Sequence, residues 1–296
     1  MATIAIGRRR EAVGAAGEPV GRAHGLAQAL AYALLVAVAL LMFVPFLWSL
    51  TTSLKTSPEA ALFPPTVLPR EPTWAAYETV IRGAPFPRWF FNSALVACAV
   101  VVSRCTFDTM AGYAFARLRF PGRDVLFALV ISTLMVAPMV LLIPRFILLQ
   151  GLGLVNTLYA LWLPFASEAL GVFMLRQFFL SIPYELEEAA RIDGASRFRA
   201  FWQIILPNAV PAVTALAILA FQGSWNRFLE AVVFISGANR DAFTLPLGLA
   251  YFRQFYYTDW PVVMAGAVLT TVPMAVVYIF FQRYFVESVT HTAIKG

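Results

Sequence analysis

A chain of 296 residues that is 60% hydrophobic and 13% charged is too apolar for an ordinary soluble domain, which carries about a quarter charged residues. Its formal charge of +6 is split into separate arginine clusters, so it reads as membrane topology and not as a nucleic-acid footprint. Lys55 and Lys295 follow no glycine-rich loop, His24 and His291 lie at opposite ends, and no Ser/His/Asp set can be assembled, so no catalytic residue, metal ligand or nucleotide-binding loop is assigned.

Residues 1–24, rich in Ala, Gly and Arg, read as a disordered basic tail ahead of a single membrane domain, 25–296. The uncharged run Gly25–Leu54 exceeds a signal-peptide core and reads as the first span. An outward loop at about 53–88 holds Pro58, Pro64, Pro65, Pro69, Pro72, Pro85 and Pro87. That density excludes a regular helix and predicts an extended cap. Span two is expected over about Trp89–Ala116 and must accommodate Arg104 and Asp108, one helical turn apart, as a neutralised pair facing protein. Cys98 and Cys105 read as small packing residues.

A basic Pro-Gly turn, Arg117–Arg123, leads to span three at about Val125–Phe146 and an outer turn at Gly151, Gly153 and Asn156. Span four is expected over about Thr157–Leu180, span five over about Asn208–Ile235 and span six over about Trp260–Tyr284. Arg8-Arg9-Arg10, Arg117/Arg119/Arg123, Arg176, Arg191/Arg197/Arg199 and Arg283 with Lys295 then fall at alternate span ends. By the positive-inside rule both termini are cytoplasmic. Phe252, Phe255, Tyr256, Tyr257 and Trp260 read as an interfacial aromatic belt. The expected fold is all-α integral membrane with six transmembrane helices and no internal repeat.

Between spans four and five, at about 181–207, lies a polar segment of particular design. Ser181 can cap a helix with Pro183 in its first turn. Ile182, Leu186, Ala189 and Ala190 share one face, and Glu187 and Arg191 form an i,i+4 pair in the favourable order. Gly194 is a left-handed stop, and Ser196 can cap the next turn. The result is a short, small-faced helix that turns back at Pro207, and its alanines let a partner protein approach the backbone.

Glu188-Ala189-Ala190, Gly194, Ile204 and Leu206-Pro207 at this spacing resemble the "EAA" coupling signature of permease subunits of ATP-driven (ABC) importers. The resemblance extends to Ser53-Leu54-Lys55, Phe91-Asn92-Ser93, Ala114–Arg123, Phe173–Phe179, Trp225-Asn226 and Ala293-Ile294-Lys295-Gly296. These look like the carbohydrate branch, of maltose and glycerol-phosphate type. The resemblance implies a non-catalytic permease subunit in a bacterial cell membrane. Its partners would be a homologous permease, an ATPase dimer that binds the ATP and Mg, and an extracytoplasmic solute-binding protein. It also implies ATPase coupling through Glu187, Glu188, Ala189, Ala190, Asp193 and Gly194, with Lys295 and Gly296 touching the ATPase.

Ionisable residues inside spans are expensive and point to function. Trp225, Asn226, Arg227 and Glu230 offer a sugar an aromatic face and hydrogen-bonding groups on one turn of span five; equally, Arg227 and Glu230 could be an internal packing pair. Glu168 reads as a buried carboxyl, with desolvation favouring its protonated form. The solute stays open among oligosaccharide, monosaccharide, polyol and glycerol phosphate. An ion-coupled secondary transporter working through Glu168 or Asp108 is the competing class, normally marked by broken-helix repeats that the sequence does not display. A structural membrane subunit with no ligand path is the other.

Overall fold

The computed structural model describes residues 20–237, 239–252 and 258–293, and every regular element among them is a helix. In chain order these are α1 (Val20–Ser53), α2 (Ser57–Ala60), α3 (Ala75–Arg82), α4 (Phe86–Arg117), α5 (Arg123–Ser132), α6 (Leu142–Gly151), α7 (Tyr159–Trp162), α8 (Ala169–Ser181), α9 (Glu185–Ile192), α10 (Arg197–Ala200), α11 (Leu206–Asn208), α12 (Val210–Trp225), α13 (Leu229–Phe234), α14 (Leu245–Tyr251) and α15 (Trp260–Ala293). Arg8–Arg10, Phe255, Tyr256, Tyr257, Lys295 and Gly296, to which the sequence assigns roles, lie outside the described residues.

Four segments are long and apolar enough to cross a membrane: Gln28–Ser53, Phe86–Arg117, Tyr159–Ser181 and Trp260–Gln282. The other two expected spans are not straight. Arg123–Met135 and Pro138–Gly151 meet at 98°, and Arg197–Asn208 and Val210–Trp225 at 78°; counting each bent pair as one span gives up to six. Pro138 and Pro211 sit just past these bends, where a ring cannot continue the preceding hydrogen-bond ladder. Span four is interrupted as well. After α7 a 3-10 turn at Leu163–Phe165 gives way to Glu168 in extended conformation, and only then does α8 begin. Each of these spans reads as one continuous apolar run in the sequence, which does not foretell the interruptions. An apolar run at Met135–Pro138 has no hydropathy signal that a break could leave.

The proline-rich loop is also more regular than expected. Pro58 sits in the first turn of α2, where its missing N–H costs nothing, and α3 forms in the proline-free stretch between Pro72 and Pro85. Glu59 fastens the loop by accepting hydrogen bonds from the Arg70 amide and the Thr66 hydroxyl, both at 2.9 Å. Lys55 donates to the Thr66 carbonyl, and Ser57 donates to Asp259 just before α15.

Within residues 49–296 the organising helix is α4, which packs most extensively on α8 and α12. Its first half is built into a core with Trp89, Val96 and Val100 buried against Phe165, Phe234 and Leu245. Its polar residues hold the segment before α14: Trp89 Nε1 donates to the Arg240 carbonyl at 2.8 Å, Asn92 Nδ2 to the Asp241 and Phe243 carbonyls, and Ser93 Oγ accepts from the Leu245 amide at 2.7 Å. The Phe91-Asn92-Ser93 motif thus owes its polar members to backbone carbonyls and an amide that have no helical partner. The second half of α4 enters another core, of Tyr113, Leu175, Phe179, Phe201, Ile205 and Leu216. Cys98 is exposed and Cys105 half-buried. Taken alone, α1 displays apolar side chains such as Leu30, Leu34, Leu41 and Phe43 along its described length, as suits a helix solvated by lipid.

Candidate functional site

The bend in span three, the break in span four and a second interruption of span five, between α12 and α13, meet at one cavity of about 570 Å³, which the 78° bend beside Ala209 does not line. Pro138 and Arg145 line it from the α5–α6 bend, Pro164 to Leu170 from the α7–α8 break, and Asn226 to Glu230 from the gap between α12 and α13. That volume suits a small-molecule site, typically roughly 300–1,000 Å³.

An ionic network anchors its α8 side. Arg104 Nε lies 3.2 Å from Asp108 Oδ2, and its Nη1 lies 2.9 Å from Glu168 Oε2. Asp108 is fully buried, and its Oδ1 accepts from Ser167 Oγ at 2.6 Å and from the Glu168 amide at 3.1 Å. From another helix the carboxylate thus satisfies the amide of Glu168, the residue at the N-cap position of α8, whose own side chain makes no capping bond. Gly171 makes this possible: a Cβ there would stand 2.1 Å from Asp108 Oδ2. The Arg104–Asp108 pair is present as expected, but it is one part of a triad. Glu168 is not the buried carboxyl foreseen; it is ion-paired with Arg104, and 39% of its side chain is exposed.

On the opposite side Arg227 lies 3.5 Å from Glu230 and stacks over the Phe165 ring at 3.2 Å from the centroid. Arg145 stands over the same ring at 4.9 Å. Arginine planes bind aromatic faces well when water is excluded, and both cations thereby gain support inside an apolar wall. Arg227 Nε is buried with no hydrogen-bond partner. Asn226, Arg227 and Glu230 reach the cavity, but not from one helical turn, because α12 ends at Trp225 and α13 starts at Leu229. Trp225 does not line it. That side chain is buried, stacked on Phe221, edge-on to Phe90, and donates Nε1 to the Thr270 carbonyl at 3.1 Å. Arg145 and Phe165 were missed by sequence reasoning; an arginine just after Pro144, in an otherwise apolar stretch, was the available signal.

The second candidate region is α9 and its C-terminal turn. Gly194 has φ +82°, its amide bonds to the Arg191 carbonyl, and the Ala195 amide bonds to the Ala190 carbonyl. This is the paired pattern of a Schellman motif. Ser196 caps α10 by accepting from the Arg199 amide. Two expectations fail here. Ser181 is the last residue of α8 and donates to the Phe178 carbonyl, so α9 starts four residues later, with Tyr184 at its N-cap and no side-chain cap. Glu187 does not pair with Arg191. It points inward and accepts a hydrogen bond from the Tyr113 hydroxyl at 2.9 Å.

The face left outside carries Glu188, Ala189 and Ile192 with Asp193 and Gly194 at its end, whereas Ile182, Glu187 and Ala190 are buried. Leu186 and Ala189 therefore do not share the buried face of Ile182 and Ala190. A cation from α4 locks the neighbouring junction: Arg117 donates to the Phe179 and Ile182 carbonyls and faces the Tyr184 ring. Beyond α10 a π-helical turn, Phe201–Ile205, returns the chain toward α12.

Residues 108–291 match the family model described as "Binding-protein-dependent transport system inner membrane component". Over 208 residues the chain is 41% identical to the arabinooligosaccharides transport system permease protein AraQ of Halalkalibacterium halodurans, covering 70% of this chain and 74% of that protein. Over 266 residues it is 35% identical to the diacetylchitobiose uptake system permease protein NgcG of Streptomyces coelicolor, covering 88% and 87%. It also resembles a chain in the crystal structure of a bacterial ABC transporter involved in the import of the acidic polysaccharide alginate. That match has a TM-score of 0.79 at 25% identity, over 90% of this chain and 98% of the other. The family model covers more than half of the chain and both relatives are more than 30% identical over most of their length, so the chain belongs to the family of binding-protein-dependent transport system inner membrane components.

Proposed function

We propose that this chain is one permease half of an ATP-driven sugar importer in a bacterial cell membrane, with six spans and both termini cytoplasmic. Its own part is non-catalytic. A partner ATPase dimer binds ATP and Mg, a homologous permease supplies the other half of the path, and an extracytoplasmic binding protein delivers the solute. The single observation that carries this reading is the convergence of three interrupted spans on a cavity holding Ser167, Glu168, Asn226, Arg227 and Glu230. These groups donate and accept hydrogen bonds, as a hydroxyl-rich solute requires once it leaves water.

Relatives named for arabinooligosaccharide and diacetylchitobiose transport support a sugar. Glycerol phosphate or a polyol would use the same architecture. The exposed face of α9, from Glu188 to Gly194, is the surface that the ATPase grips, and α8 leads from there back to the cavity over about 20 Å at 1.5 Å per residue. ATP binding and release would then switch the cavity between its two openings.

The test is uptake into proteoliposomes holding both permeases, the ATPase and the binding protein. Uptake should require internal ATP and persist when proton and sodium gradients are collapsed. Gradient-driven uptake without the ATPase would instead establish the secondary-transporter reading.

A further inference from the structure

Glu187 belongs to the signature helix, yet its side chain is unavailable to an outside partner, being only 4% exposed. One oxygen accepts from Tyr113; the other is buried without a hydrogen-bond partner. A buried carboxylate with so little support is an expensive way to fill space that a leucine could fill. Tyr113 is equally committed. Its ring packs at 4.8 Å on Phe201 in the π-helical turn and edge-on at 6.0 Å to Phe179 in α8. It also lies on α4, five residues from Asp108, whose carboxylate holds the Ser167–Glu168 wall of the cavity. One hydrogen bond thus joins the signature helix to the helix that fixes the cavity wall.

Apolar packing opposes separation of its faces, but dispersion and burial have no preferred direction, so packed faces can slide and repack at little cost. A hydrogen bond to a buried carboxylate is directional and strengthened by its surroundings. A coupling helix that must carry its stroke to α4 without slipping needs something of the second kind. We propose that the Tyr113–Glu187 hydrogen bond is the link that keeps α4 in register with the signature helix, so that α4 follows α9 through each stroke of the ATPases and the cavity is reset; Arg117 braces the α8–α9 junction beside it. Glu187 is accordingly a positioning residue that acts through Tyr113, and the neighbouring Glu188 and Ala189 are the ones left to meet the ATPase. This rests on α9 being the ATPase-binding element, so the experiment separates the two ideas.

Tyr113→Phe keeps the ring and its packing and removes only the hydroxyl, whereas Glu187→Gln keeps an acceptor. Each is assembled with the partner permease, the ATPase and the binding protein, and three quantities are read: ATPase co-purification, ATP hydrolysis, and solute transported per ATP. The expected result is normal co-purification and continued hydrolysis for Tyr113→Phe, with transport per ATP down roughly tenfold, as loss of a hydrogen bond to a charged group implies. Glu187→Gln should recover most of that loss. Wild-type transport per ATP in Tyr113→Phe overturns the proposal. So does loss of ATPase co-purification in that variant, which would make the bond a structural brace of α9, and so does a Glu187→Gln defect as deep as that of Tyr113→Phe. The docking reading is judged separately by Glu188→Lys and Ala189→Trp on the exposed face: if both retain the ATPase, docking fails whatever Tyr113→Phe does.

Discussion

At the scale of single residues, the clearest lesson is how many charged side chains look inward. Asp108 and Glu187 both serve as internal acceptors, and Glu59 does comparable work in the outer loop. The Arg70 amide is the main reason that the Glu59 carboxyl is held below the usual carboxylate range; burial opposes it, and the Thr66 hydroxyl and the charges of Lys55 and Arg70 add to the lowering. For a depressed carboxyl the stabilisation is complete above its unfolded pKa and disappears as pH falls through the folded one. Wild type should therefore melt above Glu59→Gln at neutral pH, with the gap closing as the solution is acidified toward and below the ordinary carboxylate range. Thermal unfolding of both proteins across that range checks this; a gap that widened in acid would reverse the sign. That Glu59 would fasten a loop was not legible in the sequence, because its donors lie seven and eleven residues on, among prolines that promised only irregular chain.

At the scale of elements, the signature helix was the most legible part and its faces the least. Gly194 and Ser196 do what their types foretold, since αL geometry and N-caps are local events with strong residue preferences. The inward turn of Glu187 depends on Tyr113, seventy-four positions earlier, and no periodicity argument contains that contact. Nothing lies within 4 Å of where a Gly194 Cβ would be, so any defect on substitution comes from φ and not from crowding. Gly194→Val should cost roughly 1–2 kcal/mol and Gly194→Asn clearly less, because asparagine tolerates left-handed geometry. Thermal unfolding of the two variants orders them. Equal, severe losses would point to lost packing that the open surroundings of Gly194 do not contain.

At the scale of the whole molecule, composition sufficed for an all-helical membrane protein and the motif for the family. The interruptions of spans three, four and five were not visible, because hydropathy averages over some twenty residues and a three-residue break inside apolar sequence leaves the average untouched. Pro138 and Pro164 were the local hints. The in-out orientation remains a proposal from arginine placement, and it has a direct check. A cysteine replacing Pro64 should react with an impermeant thiol reagent added outside intact cells, and one replacing Ala195 only after the inner face is opened; the reverse pattern would invert the topology.

The cavity wall comes from the ends of separate half-helices, not from one rigid rod. Hydrogen-bonding groups carried on separate pieces are in register in only one arrangement of those pieces, so a solute that satisfied all of them would glue the pieces together. Tight binding would then act as a brake. The natural cargo should bind this site loosely, and a synthetic analogue that bridged Glu168 to Arg227 strongly should behave not as a better cargo but as a jammer, leaving the transporter occupied and still.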